Sequence, residues 1–163
     1  MKSLLGIVIA ALLALPVHAE EKMTQNIKRL TLETALSIAQ AAIEDCRKRG
    51  VSVAVTVVDR GGHEQVVLRD VLAMDITLPL SKQKAHSAMA FNSPLSEMEG
   101  QFTGAYQVPK IDGLLIQPGG IPVNVGGNLM AGIGVAGAPS GEMDEECAKA
   151  GLEAVLSDLE MEE

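Results

Sequence analysis

Few side chains in this 163-residue chain have the types and spacing for catalysis, and most familiar arrangements are absent. Outside an apolar leader that carries His18, the imidazoles are His63 and His86, too few for a three-histidine zinc site. There is no CxxC, no HExxH and no Walker loop, and no nucleophile elbow marks a serine hydrolase. Gly132-Ile133-Gly134-Val135-Ala136-Gly137 has the glycine spacing of a dinucleotide fingerprint, but those glycines fall inside an apolar strand and no helix opens directly on them. No pair of carboxylates stands out as acid and base. The cysteines are Cys46 and Cys147, each on the apolar stripe of a helix. If those helices pack antiparallel, the two come level. A disulfide there closes a loop of roughly 100 residues, worth about 4 to 5 kcal/mol in the ideal entropic limit; the alternative is two buried thiols acting as apolar filler.

The elements that must position these residues are organised around Gly119 to Gly137, two apolar strands joined at Gly126-Gly127-Asn128. Alternation sends Ala131, Ile133 and Val135 to one face and Gly132 and Gly134 to the other. A nearly bare face means that something large lies against the backbone: a helix, a second subunit or a flat ligand. A helix from Leu30 to Gly50 is capped by Thr31, with Leu32, Leu36, Ala39, Ile43 and Cys46 on one stripe and Arg47, Lys48 and Arg49 at its negative end. Val51 to Asp59 and His63 to Arg69 form a hairpin about Arg60-Gly61-Gly62. Pro79 opens a second helix, with Leu80, Ala85, Ala88 and Met89 inward and Ser81, Lys82 and Gln83 outward. A short third helix begins at Ser93-Pro94, Leu114 to Ile116 is a strand, and Glu142 to Leu159 is the last helix, its acidic start at the positive dipole end. This order gives an α+β fold, an antiparallel sheet of about five strands covered by helices.

Lys2, the apolar run Leu4 to Leu15 and Val17-His18-Ala19 read as a signal peptide, residues 1–19, cleaved after Ala19 for export to a bacterial periplasm. The remaining 144 residues, 20–163, suit one domain with one core. Losing one lysine and no acids takes the formal charge from −8 to −9. Such a chain repels phosphate backbones and anionic lipid, so no nucleic acid and, after cleavage, no membrane is expected as partner. With only Phe91, Phe102 and Tyr106 as aromatics, the core must be aliphatic.

Three blocks together resemble the GlcG/HbpS-like haem-binding family. They are Val57 to His63, Ser81 to Pro94, and Gly119 to Pro122 continuing through Gly132 to Glu145. The resemblance implies a single α/β/α domain, assembly into a homo-oligomer and, in exported members, haem binding for sensing or handling. In haem-binding members a threonine in an Asn-x-Pro-Thr motif is associated with the iron; here Asn92-Ser93-Pro94-Leu95 has no hydroxyl at the last position. Haem iron accepts imidazole, thioether, thiolate or phenolate, and the macrocycle needs an apolar slot with cations near its propionates. His86, with Met89 a turn later and Lys82 and Lys84 alongside, is the leading axial ligand. The slot expected for the porphyrin lies between the second helix, the turn at Phe91, Pro94 and Leu95, and the hairpin at Gly119 and Gly120. His63, read mainly as a turn residue, and Met74, Met130 and Tyr106 are lesser candidates. A non-enzymatic haem-binding protein is thus the leading expectation. The alternative is an accessory protein or enzyme for a small organic acid, related to glycolate use, with Lys84 and Arg60 on the carboxylate. A scaffold that binds nothing small is the third.

Overall fold

The computed structural model describes residues 23–102 and 108–162, so the leader and Tyr106 lie outside the described residues. Helix α1 (Leu32–Lys48) leads into strands β1 (Ala54–Asp59) and β2 (Glu64–Arg69), then helix α2 (Thr77–Phe91). Single 3-10 turns follow at Leu95–Met98 and Val108–Lys110, then strands β3 (Gly120–Val125) and β4 (Asn128–Ala136) and helix α3 (Gly141–Met161). The described strands form one sheet in the order β2-β1-β4-β3, every pair antiparallel.

Alternation along the central strands assigns the two faces. Val55 and Val57 of β1 pair with Val135 and Ile133 of β4 and join α1 and α3 in the main core. Thr56 and Val58 pair with Gly134 and Gly132 and turn toward α2. Both faces are covered, so all six residues of β1 are buried. The fold is the expected α+β arrangement, α1 and α3 over one face and α2 over the other, but with four strands and not five. Leu114 to Ile116 is apolar without being a strand: the Leu115 N–H donates to the Ser87 hydroxyl at 2.8 Å and Ile116 packs against the cluster of Ala88, Leu95 and Met98.

Two helix starts differ from expectation. Helix α2 begins at Thr77, which puts Pro79 inside the first turn, where an N–H has no intrahelical acceptor to lose. Pro94 stands just before the 3-10 turn and not within it. Asn92 ends α2 with φ +50, a left-handed cap that asparagine tolerates. Cys46 and Cys147 form a disulfide with a Cα separation of 5.6 Å, tying the end of α1 to the start of α3. Gly151 lets these helices close: a Cβ there would lie 2.7 Å from the Ile38 carbonyl oxygen.

The bare face of the hairpin is filled by the chain itself. A Cβ on Gly134 would stand 2.0 Å from the Ser81 carbonyl oxygen, and one on Gly132 2.3 Å from that of Ala85. The large object against the glycines is α2. Ser81 therefore faces inward, its hydroxyl 2.8 Å from that of Thr56, and not toward solvent.

Candidate ligand site at the first hairpin turn

Asp59 builds the turn between β1 and β2. Its buried carboxylate accepts from the Gly61 N–H at 2.7 Å, the His63 N–H at 3.0 Å and Arg29 at 3.1 Å. Burial pushes this carboxyl upward, but the two backbone hydrogen bonds and Arg29 overbalance it, so its pKa lies below the ordinary value. The turn is thereby fixed with Gly62 at φ +82, facing α2.

His86 and Met89, one turn apart on α2, meet Gly62. A Cβ on Gly62 would lie 2.7 Å from His86 Cδ2, 2.9 Å from Nε2 and 3.3 Å from Met89 Cε, so the missing side chain makes room for this imidazole edge and thioether. On the other side, His86 Nδ1 is 3.2 Å from the Gly113 carbonyl oxygen. A carbonyl only accepts, so Nδ1 is the donor, and in the neutral ring Nε2 keeps the lone pair. A backbone carbonyl behind one ring nitrogen is the usual way an imidazole is oriented for metal at the other. Met89 is 8% exposed and packs with Val58, Ala85 and Leu129. His63 is largely exposed on the outer side of the same turn, its Nδ1 3.5 Å from Asp59. Among the described residues no three His, Cys, Asp or Glu side chains cluster as a metal site. An imidazole held from behind at Nδ1 and a thioether one turn away are nevertheless donor types that haem iron accepts, although both side chains pack against Gly62.

The other expected site residues lie elsewhere. Lys84 is buried and donates to Asp144 at 2.8 Å and to the Val135 carbonyl at 3.1 Å, so its ammonium is committed inside the protein. Burial pushes the Asp144 carboxyl up, against the hydrogen bond and charge of Lys84. Gly119 and Gly120 do meet Lys84 and Leu95, but in a closed joint: Cβ atoms there would fall 2.6 Å from Lys84 Nζ and 2.7 Å from Leu95 Cδ1. Leu95 is fully buried, Pro94 is half-buried, and Phe91 stacks at a tilt on Phe102 with centroids 5.4 Å apart. The slot expected between α2, the Pro94 turn and the second hairpin is thus taken up by packing. Met130 is buried in the main core and Met74 is exposed on the loop before α2. Glu145, buried like its neighbour Asp144, accepts from Ser96 and from the Gly119 N–H.

The structure brings His86 and Met89, both singled out from the sequence, against the same turn, and sets them among Asp59, Gly62 and Gly113, which the sequence did not tie to them. The Asp-x-Gly-Gly run was a signal for the turn; nothing in the sequence marked Gly113.

The model of the family described as "Haem degrading protein HbpS-like" matches residues 30–153. The crystal structure of HbpS is similar at 41% identity and a TM-score of 0.78, over 82% of this chain and 94% of that one. A crystal structure of a PduOC:heme complex is similar at 25% identity and a TM-score of 0.73, over 78% and 95%. A Citrobacter freundii protein described as an uncharacterized 15.0 kDa protein of the dhaT-dhaS intergenic region is 27% identical over 80% of this chain and 94% of its own. The chain belongs to the HbpS-like family.

Proposed function

We propose that this is an exported, haem-binding protein of haem sensing, storage or handling, with His86 as the axial donor. The observation that carries the proposal is the imidazole held by the Gly113 carbonyl at Nδ1, with Nε2 against the side-chain-free Gly62. Bound haem would supply an iron that accepts an imidazole; the chain would supply the donor and the backbone carbonyl that orients it. Met89 offers a thioether one turn from His86, and Leu95 packs with Ala88 of α2. Haem-related membership of the family and the haem complex of one relative support the reading.

A second copy of the chain suits another surface, at the end of the sheet opposite the Gly62 turn. Val71, Leu72, Met74 and Ile76, between β2 and α2, are 82%, 80%, 66% and 57% exposed, an apolar run that monomers seldom leave bare. Export is supported by the leader pattern and by the disulfide, which persists in oxidising compartments. Hemin titration of the chain lacking residues 1–19 tests the function. A saturable, shifted Soret band supports it; a spectrum that stays that of free hemin overturns it. A small organic acid is the second reading, favoured by Arg60, whose guanidinium has no carboxylate partner among the described residues.

A further inference from the structure

The chain has five arginines. Arg29 pairs with Asp59, Arg47 with Asp70, Arg49 with Asp45 and Glu146, and Arg69 with Asp75. In a protein of net charge −8 that is the ordinary fate of a guanidinium. Arg60 is the exception among the described residues: it is exposed, and its hydrogen bond runs to a neutral acceptor, the Leu129 carbonyl, at 3.2 Å. That bond uses one N–H of a planar fork whose remaining donors match a carboxylate.

The position of Arg60 ties it to the candidate site. It lies two residues before Gly62 on the same turn, and Leu129, which holds it, packs against the cluster of Val58, Ala85 and Met89. The two hairpin turns are thus stitched side by side at one end of the sheet. Between them and the N-terminal segment is a cleft of about 200 Å3 lined by Gln25, Asn26, Lys28, Arg60, Gly127 and Asn128. Its walls are mostly polar and carry the Arg60 guanidinium, with Ile27 and Leu129 as apolar lining. It is far too small for a porphyrin and of a size for a carboxylate group.

We infer that Arg60 and this cleft form a carboxylate subsite, which anchors the acid group of whatever ligand occupies the neighbouring His86 face. Two ligands bring that group: a porphyrin through its propionates, or a small hydroxy acid. The first source rests on the haem reading; the second does not.

Arg60→Gln distinguishes the sources when titrated with hemin, with hemin dimethyl ester and with glycolate. For a propionate subsite, Arg60→Gln weakens hemin about ten-fold, the value of one charge-assisted hydrogen bond. The Soret maximum of the bound form stays unchanged, and the ester, which has no carboxylate, binds the wild type and the variant equally. Arg60→Lys recovers part of the hemin affinity. If the wild type shows no hemin response but gains thermal stability from glycolate, and Arg60→Gln loses that gain, the subsite stands and the haem reading falls. Hemin and ester weakened alike by Arg60→Gln, hemin bound equally by both proteins, or a wild type that answers neither ligand overturns the subsite.

Discussion

Replacing Gly134 by alanine tests whether α2 is pressed onto the sheet as tightly as the geometry states. The added Cβ would begin 2.0 Å from the Ser81 carbonyl oxygen and 2.4 Å from the Ala85 nitrogen, where ordinary contact begins at 3.4 Å. Both obstacles are helix backbone, so no side chain can swing aside. Ser81 is also held by Thr56 at 2.8 Å. The helix must retreat by about 1 Å along the contact, which puts the cost at the upper end for overpacking, about 3 kcal/mol. For a domain of this length that lowers the melting temperature by roughly 10 °C. Gly127→Ala is the control: nothing lies within 4 Å of its Cβ, and only its φ of +79 opposes the change, at about 1 kcal/mol. Thermal and urea unfolding of both variants, disulfide intact, gives the comparison. A Gly134→Ala protein that melts within 2 °C of the wild type, or no lower than Gly127→Ala, would refute the claim that the bare face exists to seat α2.

Three further outcomes follow from the same structure. Reducing Cys46–Cys147 opens a covalent loop of sequence separation 101 and should lower unfolding free energy by about 4 kcal/mol; urea unfolding with and without reductant measures it. Lys84→Met leaves the buried Asp144 without its cation and should cost about 3 to 5 kcal/mol, while Lys84→Met with Asp144→Asn, which keeps an acceptor for the Ala138 N–H, should recover much of that in a urea double-mutant cycle. Asp59 has a folded-state pKa below its ordinary 3.8, so the unfolded chain binds more protons there. Its contribution is full above that value and lost as pH falls through the folded one. Asp59→Asn should therefore flatten the acid limb of a stability-against-pH curve without steepening it near neutrality.

The three layers were legible because β-branched alternation, hairpin glycines and capped helices agree with one another. Cys46 and Cys147 fell on facing stripes, which made a disulfide one of two readings; the structure takes that one. On α2 the apolar inner positions Ala85, Ala88 and Met89 were legible, and the polar ones were not. Ser81 is polar and read as outward-facing, yet it is buried, as are Lys84 and Ser87, and Thr56, Asp144 and the Leu115 N–H satisfy them. In α1 the larger Leu32 and Leu36 are exposed, while Ala35 and Ala42 are buried. Gly151 demands small residues opposite it, and hydrophobicity alone does not encode that distance. The site was half legible: a histidine and a methionine one turn apart can be read from spacing. Which way they point depends on Gly62 and Gly113, brought there only by the fold.

The central claim is that His86 Nε2 is the donor to haem iron, and ligand rescue tests it directly. Hemin is added to His86→Gly with and without free imidazole, and the Soret and visible bands are compared with those of wild type. The account predicts an altered spectrum in the variant and return of the wild-type bands when imidazole fills the vacated position. A variant whose bands already coincide with wild type before any imidazole is added would contradict it.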